Sequence, residues 1–272
     1  MTTFEPSGSV AVKVTLAGGE VTVSASELPG VEVELVPQRD NEPTRKLIAE
    51  ARVEMVEIGG RHEVIVNLGK ANGFTMGRGP RVRVRVRCPR GSDISVKSSS
   101  ADVEATGLLG SVEVKTASGE VSLEDVGSAE VATASGDVEV RESDQGLSIR
   151  TLSGDVMVGR CGGTLAVNVV SGDLSVVEAA AGFQVATVSG DVRIRSAGGG
   201  PMQIGSVSGD VHLAIKPGES LYVDASSLSG DLSSELELET TASAASESQV
   251  RNLSIRTVSG DVEIVRAAVA HA

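Results

Sequence analysis

Aromatic side chains are nearly missing: three Phe, one Tyr and no Trp in 272 residues. Single-stranded nucleic acid is held by stacking on aromatic platforms, and sugar clefts generally use them too, so the scarcity counts against both. Cysteine is as rare. Cys88 and Cys161 make neither a disulfide framework nor a metal-ligand spacing, and free thiols in a reducing compartment fit them best. No apolar run approaches the roughly 20 residues that span a bilayer. Met1 to Pro6 contains no basic stretch and no apolar run, so no secretion signal and a cytoplasmic location are expected. The three histidines, His62, His212 and His271, stand in unrelated contexts. No Ser-His-Asp or Cys-His constellation, zinc spacing or phosphate loop is visible, so neither catalysis nor a cofactor is expected.

Glycine, by contrast, is abundant at 32 residues, and much of it falls in a repeated tripeptide. The copies are Ser100-Ala101-Asp102, Ser118-Gly119-Glu120, Ser135-Gly136-Asp137, Ser153-Gly154-Asp155, Ser171-Gly172-Asp173, Ser189-Gly190-Asp191, Ser208-Gly209-Asp210, Ser229-Gly230-Asp231 and Ser259-Gly260-Asp261. Successive serines are 18, 17, 18, 18, 18, 19, 21 and 30 residues apart. A period this regular marks a repeat architecture.

Each tripeptide lies between two alternating segments. Before it come pairs such as Leu147/Ile149, Leu165/Val167 and Phe183/Val185; after it come Val156/Val158, Leu174/Val176 and Val192/Ile194. Period-two alternation of β-branched and aliphatic residues reads as strand. Gly, Ser and Asp supply a tight corner between the two strands. Val126, Cys161, Ala179 and Ala197, eight residues after each Ser, are expected to point inward on a third side. One unit cannot bury its own apolar face, whereas units stacked in parallel bury a continuous narrow core. The expected fold is therefore all-β: a β-solenoid of about 18-residue coils, with a less regular β-rich N-terminal region. A propeller blade needs about 40 residues, and the alternation excludes a helical repeat.

The expected organisation is a β-rich region over 1–95, which starts or caps the solenoid, repeats over 96–266 and a frayed tail over 267–272. Val12 to Val23 matches the repeat position for position, with Gly18-Gly19-Glu20 in the corner. Val53–Ile58 and Val64–Leu68 read as a hairpin around Gly59-Gly60, and Thr44–Ala51 as a short helix. Toward the C-terminus, Leu232–Glu239 alternates as a strand and the segment up to residue 250 is a second expected cap. Residues 1–96 hold 13 basic and 12 acidic side chains, residues 97–272 hold 11 and 25. So acidic a repeat region argues against binding nucleic acid through it.

The iterated S-G-D-V-x-V units, Gly18-Gly19-Glu20-Val21 and the lead-in from Pro89 to Val96 resemble a bacterial β-strand-repeat family known as putative adhesins. The resemblance extends over nearly the whole chain. It implies a β-helical fold, no known catalysis and no defined catalytic residues.

Four side-chain arrays could carry a function. The acidic column from Asp102 to Asp261 could bind Ca²⁺ if stacked in register; the simpler expectation is that each Asp caps its own corner, with no metal. Two residues before each Ser stand Thr116, Thr133, Thr151, Val169, Thr187, Ser206, Ser227 and Thr257; one before stand Ala117, Ala134, Leu152, Val170, Val188, Val207, Leu228 and Val258. If the Thr column faced out it would be a flat hydroxyl array able to order water. If the apolar column faced out it would be a stripe suited to an interface. The sequence leaves this open, and the burial of Leu152 against Thr151 decides it. The fourth array is Arg81, Arg83, Arg85 and Arg87, a candidate anion or partner patch or else a solvated outer strand. The expected function is a non-enzymatic scaffold or protein-interaction module with a protein partner or self-association. A glycan-binding or polysaccharide-active β-helix and a Ca²⁺-dependent solenoid are the alternatives.

Overall fold

Alternating Val, Ile and Leu can bury only every second side chain, and the computed structural model shows strands that do so. It describes all residues except 7–9, 28, 70–79, 237–250 and 268–272. The chain divides into two compact units, Met1–Val140 and Arg141–Ala272. Both are β-solenoid in construction, as the repeat predicts.

The first unit contains β1 (Thr2–Phe4), β2 (Ala11–Ser26), β3 (Val31–Pro37), α1 (Glu42–Ala49), β4 (Arg52–Ile58), β5 (Arg61–Asn67), β6 (Val82–Pro89), β7 (Asp93–Lys115), β8 (Val121–Ser135) and the start of β9 (Val138–Ser143). β2 runs parallel to β7 through Ala11↔Asp93 and Ser24↔Thr106, and this register sets Gly18-Gly19-Glu20 beside Ser100-Ala101-Asp102. The degenerate corner read from the sequence is thus a true coil corner. On its other edge β2 pairs in parallel with β5 and β6. Beyond these the pairing turns antiparallel: β4 with β5 around Gly59-Gly60, β3 with β6, and β1 with β3. The expected helix begins at Glu42 instead of Thr44, because the Asn41 side chain caps it by accepting the Thr44 N–H at 2.9 Å.

The second unit holds the end of β9, then β10 (Leu147–Ser153), β11 (Val156–Cys161), β12 (Leu165–Ser171), β13 (Leu174–Ala179), β14 (Phe183–Ser189), β15 (Val192–Ala197), β16 (Met202–Gly205), β17 (Val211–Ile215), β18 (Leu221–Ser229), β19 (Leu232–Ser234), β20 (Arg251–Ser259) and β21 (Val262–Arg266). Even-numbered strands stack on one face and odd-numbered strands on another, all in parallel. The order of stacking leaves the order of the sequence at the C-terminus. β16 and β17 pair with β20 and β21, and these pair with β18 and β19. The last coil in sequence is therefore inserted beneath the coil that precedes it.

Core filling accounts for this order. β20 and β21 point Leu253, Ile255, Val262 and Ile264 inward, all at most 2% exposed. The matching places on β18 are Val223 and Ala225, which stay half-buried, and on β19 Leu232 and Ser234, which are exposed. The coil with the larger apolar side chains lies between two neighbours, and the poorer one takes the end, where less surface leaves water. On the third side Cys161, Ala179 and Ala197 are fully buried, as their spacing predicts.

Candidate interaction surface

The corners are built from backbone geometry. Gly172 has φ +139°, and a Cβ there would overlap the carbonyl oxygen of Gly154 in the adjacent rung. Only glycine fits both the torsion and the approach. Its N–H donates to the Ser189 carbonyl at 3.1 Å, and Gly154, Gly190, Gly209 and Gly260 make the same bond to Ser171, Ser208, Ser259 and Ser229. The Ser hydroxyls themselves sit on exposed corners.

The acidic column does form in register, and its chemistry is explicit. The Asp173 N–H donates to Asp155 Oδ1, Asp191 to Asp173, Asp210 to Asp191, Asp261 to Asp210 and Asp231 to Asp261, each at 2.9 Å. In the first unit Glu120 N–H donates to Asp102 Oδ1 at 3.1 Å. Each carboxylate thus caps the corner of the neighbouring rung, not its own. Neighbouring charges ~4.8 Å apart repel by about 0.9 kcal/mol in water, before salt screening. A hydrogen bond to a charged acceptor contributes about 1.5–3 kcal/mol, so the bond wins and the column is tolerated. Among the described residues no group of three or more His, Cys, Asp or Glu is arranged to hold a metal ion.

Thr151 is 3% exposed and Leu152 58%, so the hydroxyl column faces inward and the apolar column faces water. Four of the inward hydroxyls are used locally, Thr116, Thr133, Thr151 and Thr257 Oγ1 donating to the carbonyls of Ser118, Ser135, Ser153 and Ser259 at 2.8–3.3 Å, whereas those of Thr187 and Ser206 are buried without a hydrogen-bond partner. An outward water-ordering array is therefore absent from this column. The exposed residues run in consecutive rungs of the second unit: Leu152, Val170, Val188, Val207, Val258 and Leu228, between 44% and 83% exposed.

Beside the stripe, the outward places on the same face are mostly small and uncharged: Ser148, Ala166, Gln184, Gln203, Ser254 in one column, Asn168, Ala186, Gly205 in the next. Charge enters this face only through Arg150, Arg256 and Asp224, the last two 3.8 Å apart. The sequence reading missed this pale face, although it was visible in the residues three and five places before each Ser.

The arginine strand is placed differently from a free cationic patch. Arg83 pairs with Glu20 at 2.8 Å, Arg85 with Glu34 at 3.2 Å and Arg87 with Glu32 at 3.3 Å, across the strands that flank β6. Arg81 is exposed at the start of that strand, and Arg78 lies outside the described residues. Such half-exposed pairs contribute little stability each, but they answer the positive charge within the chain.

Other reactive groups are dispersed. His212 Nδ1 lies 2.7 Å from Glu263 Oε2 on the outer surface of β17 and β21, His62 is half-buried on β5, and His271 lies outside the described residues. Glu20, Asp102, Glu104 and Glu120 line a shallow open depression, with Glu20 held by Arg83. Both cysteines are free and buried. Burial pushes the Cys88 thiol up to about 11, against the opposing hydrogen bond from Ser92, and burial raises Cys161 as well. Among the described residues no helix is long and apolar enough to cross a membrane.

No curated protein matches the sequence. Three solved structures resemble it over nearly their whole length. A putative adhesin from Parabacteroides distasonis is 14% identical, with a TM-score of 0.46 and coverage of 97% of this chain and 95% of that one. A putative adhesin from Bacteroides fragilis is 11% identical, with a TM-score of 0.40 and coverage of 96% and 95%. A putative cell adhesion protein from Clostridium sporogenes is 9% identical, with a TM-score of 0.32 and coverage of 97% of both. The Toastrack DUF4097 family model matches residues 10–199 and again 180–265, so the chain, from the degenerate first corner to the last coil, belongs to the Toastrack DUF4097 family.

Proposed function

We propose that the chain is a non-enzymatic β-solenoid scaffold that binds protein through the outer face of β10, β12, β14, β16, β20 and β18. One observation carries this reading: six exposed aliphatic side chains in adjacent rungs beside a nearly uncharged surface. Scattered exposed apolar residues need no explanation, whereas a continuous stripe is characteristic of an interface. The other arrays support it by being engaged elsewhere, the carboxylates with backbone amides and the arginines with glutamates. In the same reading residues 1–95, with their antiparallel strands and helix, act as the cap of the first unit.

Affinity capture tests it. Immobilised wild-type chain and a Met157→Lys control, altered on a different outer face, are expected to retain the same protein. The double variant Val188→Lys/Val207→Lys is expected to lose it. Equal retention by the double variant would overturn the assignment of the face, and turnover of anionic polysaccharides by the wild type would overturn the non-enzymatic reading.

A further inference from the structure

We infer that the occupant of this face is a second copy of the chain, packed stripe on stripe with its coils running the opposite way. The inference rests on the protein-interaction reading above and names its partner. Three observations lead to it.

The first is charge. Residues 141–272 carry 16 acidic and 9 basic side chains, so two copies repel over most of their surface. The outer face of β10–β20 is the exception. Its two arginines and one aspartate nearly balance, so close approach there meets little like-charge repulsion.

The second is symmetry. A two-fold axis lying in the face and perpendicular to the stripe maps the stripe onto itself and reverses the order of the rungs. Taken in spatial order, the six rungs carry residues 152, 170, 188, 207, 258 and 228. Leu152 then meets the second copy's Leu228, Val170 meets its Val258, and Val188 meets its Val207. Apolar faces apolar at every rung, and the two repeats have the same spacing by construction. The same operation sets Arg150 opposite the second copy's Ser226, Arg256 opposite its Asn168 and Asp224 opposite its Ser148, so no like charges meet. A partner of any other fold would have to reproduce a ladder of ~4.8 Å rungs to match the stripe as well.

The third is area. Six rungs extend about 29 Å, and the outward places from residue 148 to 152 with their flanks span about 20 Å. That is about 600 Å² on each copy and about 1,200 Å² in total, the lower limit of a specific interface. The dimer is therefore a weak, concentration-dependent one.

Light scattering on a sizing column, from about 1 µM to about 500 µM, reads it directly. The apparent mass of the wild type is expected to rise from 27.7 kDa toward twice that value. Val188→Lys is expected to stay monomeric over the whole range, and Met157→Lys to associate like the wild type. Because both positions are exposed, the melting temperatures of the two variants and the wild type are expected to agree, which separates lost association from lost folding. A second measurement fixes the geometry: an oxidised mixture of Val188→Cys and Val207→Cys chains is expected to give a covalent pair of the two variants, whereas Val188→Cys with Met157→Cys gives none. The native cysteines are buried and do not interfere. A wild type that remains monomeric at the highest concentration, or a Val188→Lys variant that still dimerises, overturns the inference. If the monomeric wild type nevertheless retains a foreign protein that the double variant loses, only the identity of the partner falls. If it retains none, the interaction reading falls with it.

Discussion

β20–β21 and β18–β19 carry the same corner, Ser259-Gly260-Asp261 and Ser229-Gly230-Asp231, with φ +133° and +153° at the two glycines. They pair with each other in register from Leu221↔Arg251 to Ser229↔Ser259. Yet one is the buried fifth coil of the second unit and the other is its terminal coil. The motif sets the shape of a coil, and the inward side chains set its place. Leu253 and Ile255 are at most 1% exposed, while the Val223 and Ala225 opposite them stay half-buried; Val262 is 1% exposed and the Leu232 opposite it 49%. Stability in a stacked repeat is a sum over neighbour interfaces, so a coil with two neighbours contributes about twice what a terminal coil does.

Substitutions made in both coils sharpen this contrast. The largest expected effect is at the corner. Gly260→Ala forces a non-glycine residue into its torsion and drives a Cβ into the Gly209 carbonyl, with rungs on both sides to prevent relief. A loss of about 4 kcal/mol is expected. Gly230→Ala meets the Gly260 carbonyl in the same way, but the terminal coil can lift away, and about 1–2 kcal/mol is expected. Urea denaturation of the two variants checks the ratio; equal losses would mean that the terminal coil is as firmly held as the inserted one. Next comes the core. Ile255→Ala removes a fully buried side chain and is expected to cost about 3 kcal/mol, against about 1 kcal/mol or less for the half-buried Val223→Ala.

The solenoid, its period and its corners were legible in the sequence because each rests on a local rule repeated many times. Alternation gives strands, and Gly at every corner but that of Ala101 gives the turn. The inward and outward assignment of Thr151 and Leu152 was not legible, because it depends on where the corner begins. A buried Thr hydroxyl that bonds the Ser carbonyl two residues on settles it, and only the folded backbone provides that partner. The swapped coil order was not legible either. Its one trace is the 30-residue interval between Ser229 and Ser259, where the other intervals are 17 to 21 residues. The ion pairs of the arginine strand were not legible for a similar reason. Its charges are counted in sequence, but Glu20, Glu32 and Glu34 meet them only through the register of β2, β6 and β3.

A smaller effect is expected in the carboxylate column. Asp210 accepts the Asp261 N–H, so Asp210→Ala leaves that amide without its acceptor. The loss of a charge-assisted bond, about 1.5–3 kcal/mol, is offset by relief of two repulsions of about 0.9 kcal/mol each, and a net loss of about 1 kcal/mol is expected. Asp231 belongs to the terminal coil, where its own N–H is the donor to Asp261, and Asp231→Ala keeps that bond. With the bond kept and one repulsion removed, a small gain of up to about 0.9 kcal/mol is expected. Salt distinguishes the two contributions. Raising ionic strength screens the repulsion far more than the hydrogen bond, so the Asp210→Ala deficit is expected to grow with added salt while the gain from Asp231→Ala shrinks toward zero. A deficit that shrinks instead would mean that the column is held by long-range charge and not by the amide bonds.

The smallest expected effect is at the inward hydroxyls. Thr257 and Thr151 are buried and donate to the carbonyls of Ser259 and Ser153, and the Ser259 carbonyl also accepts the Gly209 N–H from the adjacent rung. Val169 fills the same place in its own coil, 3% exposed, without a hydroxyl. Thr151→Val is therefore an exchange the fold has already made one rung away. It removes a bond of about 1 kcal/mol but also the cost of burying the hydroxyl, and a change under about 1 kcal/mol is expected in the melting or urea transition. Thr151→Ser, which keeps the hydroxyl and deletes the methyl, is expected to be the worse of the two by about 1 kcal/mol, because the lost contact lies in the packed interior. The reverse order would mean that the hydroxyl, and not the β-branched shape, is why threonine recurs before the corner.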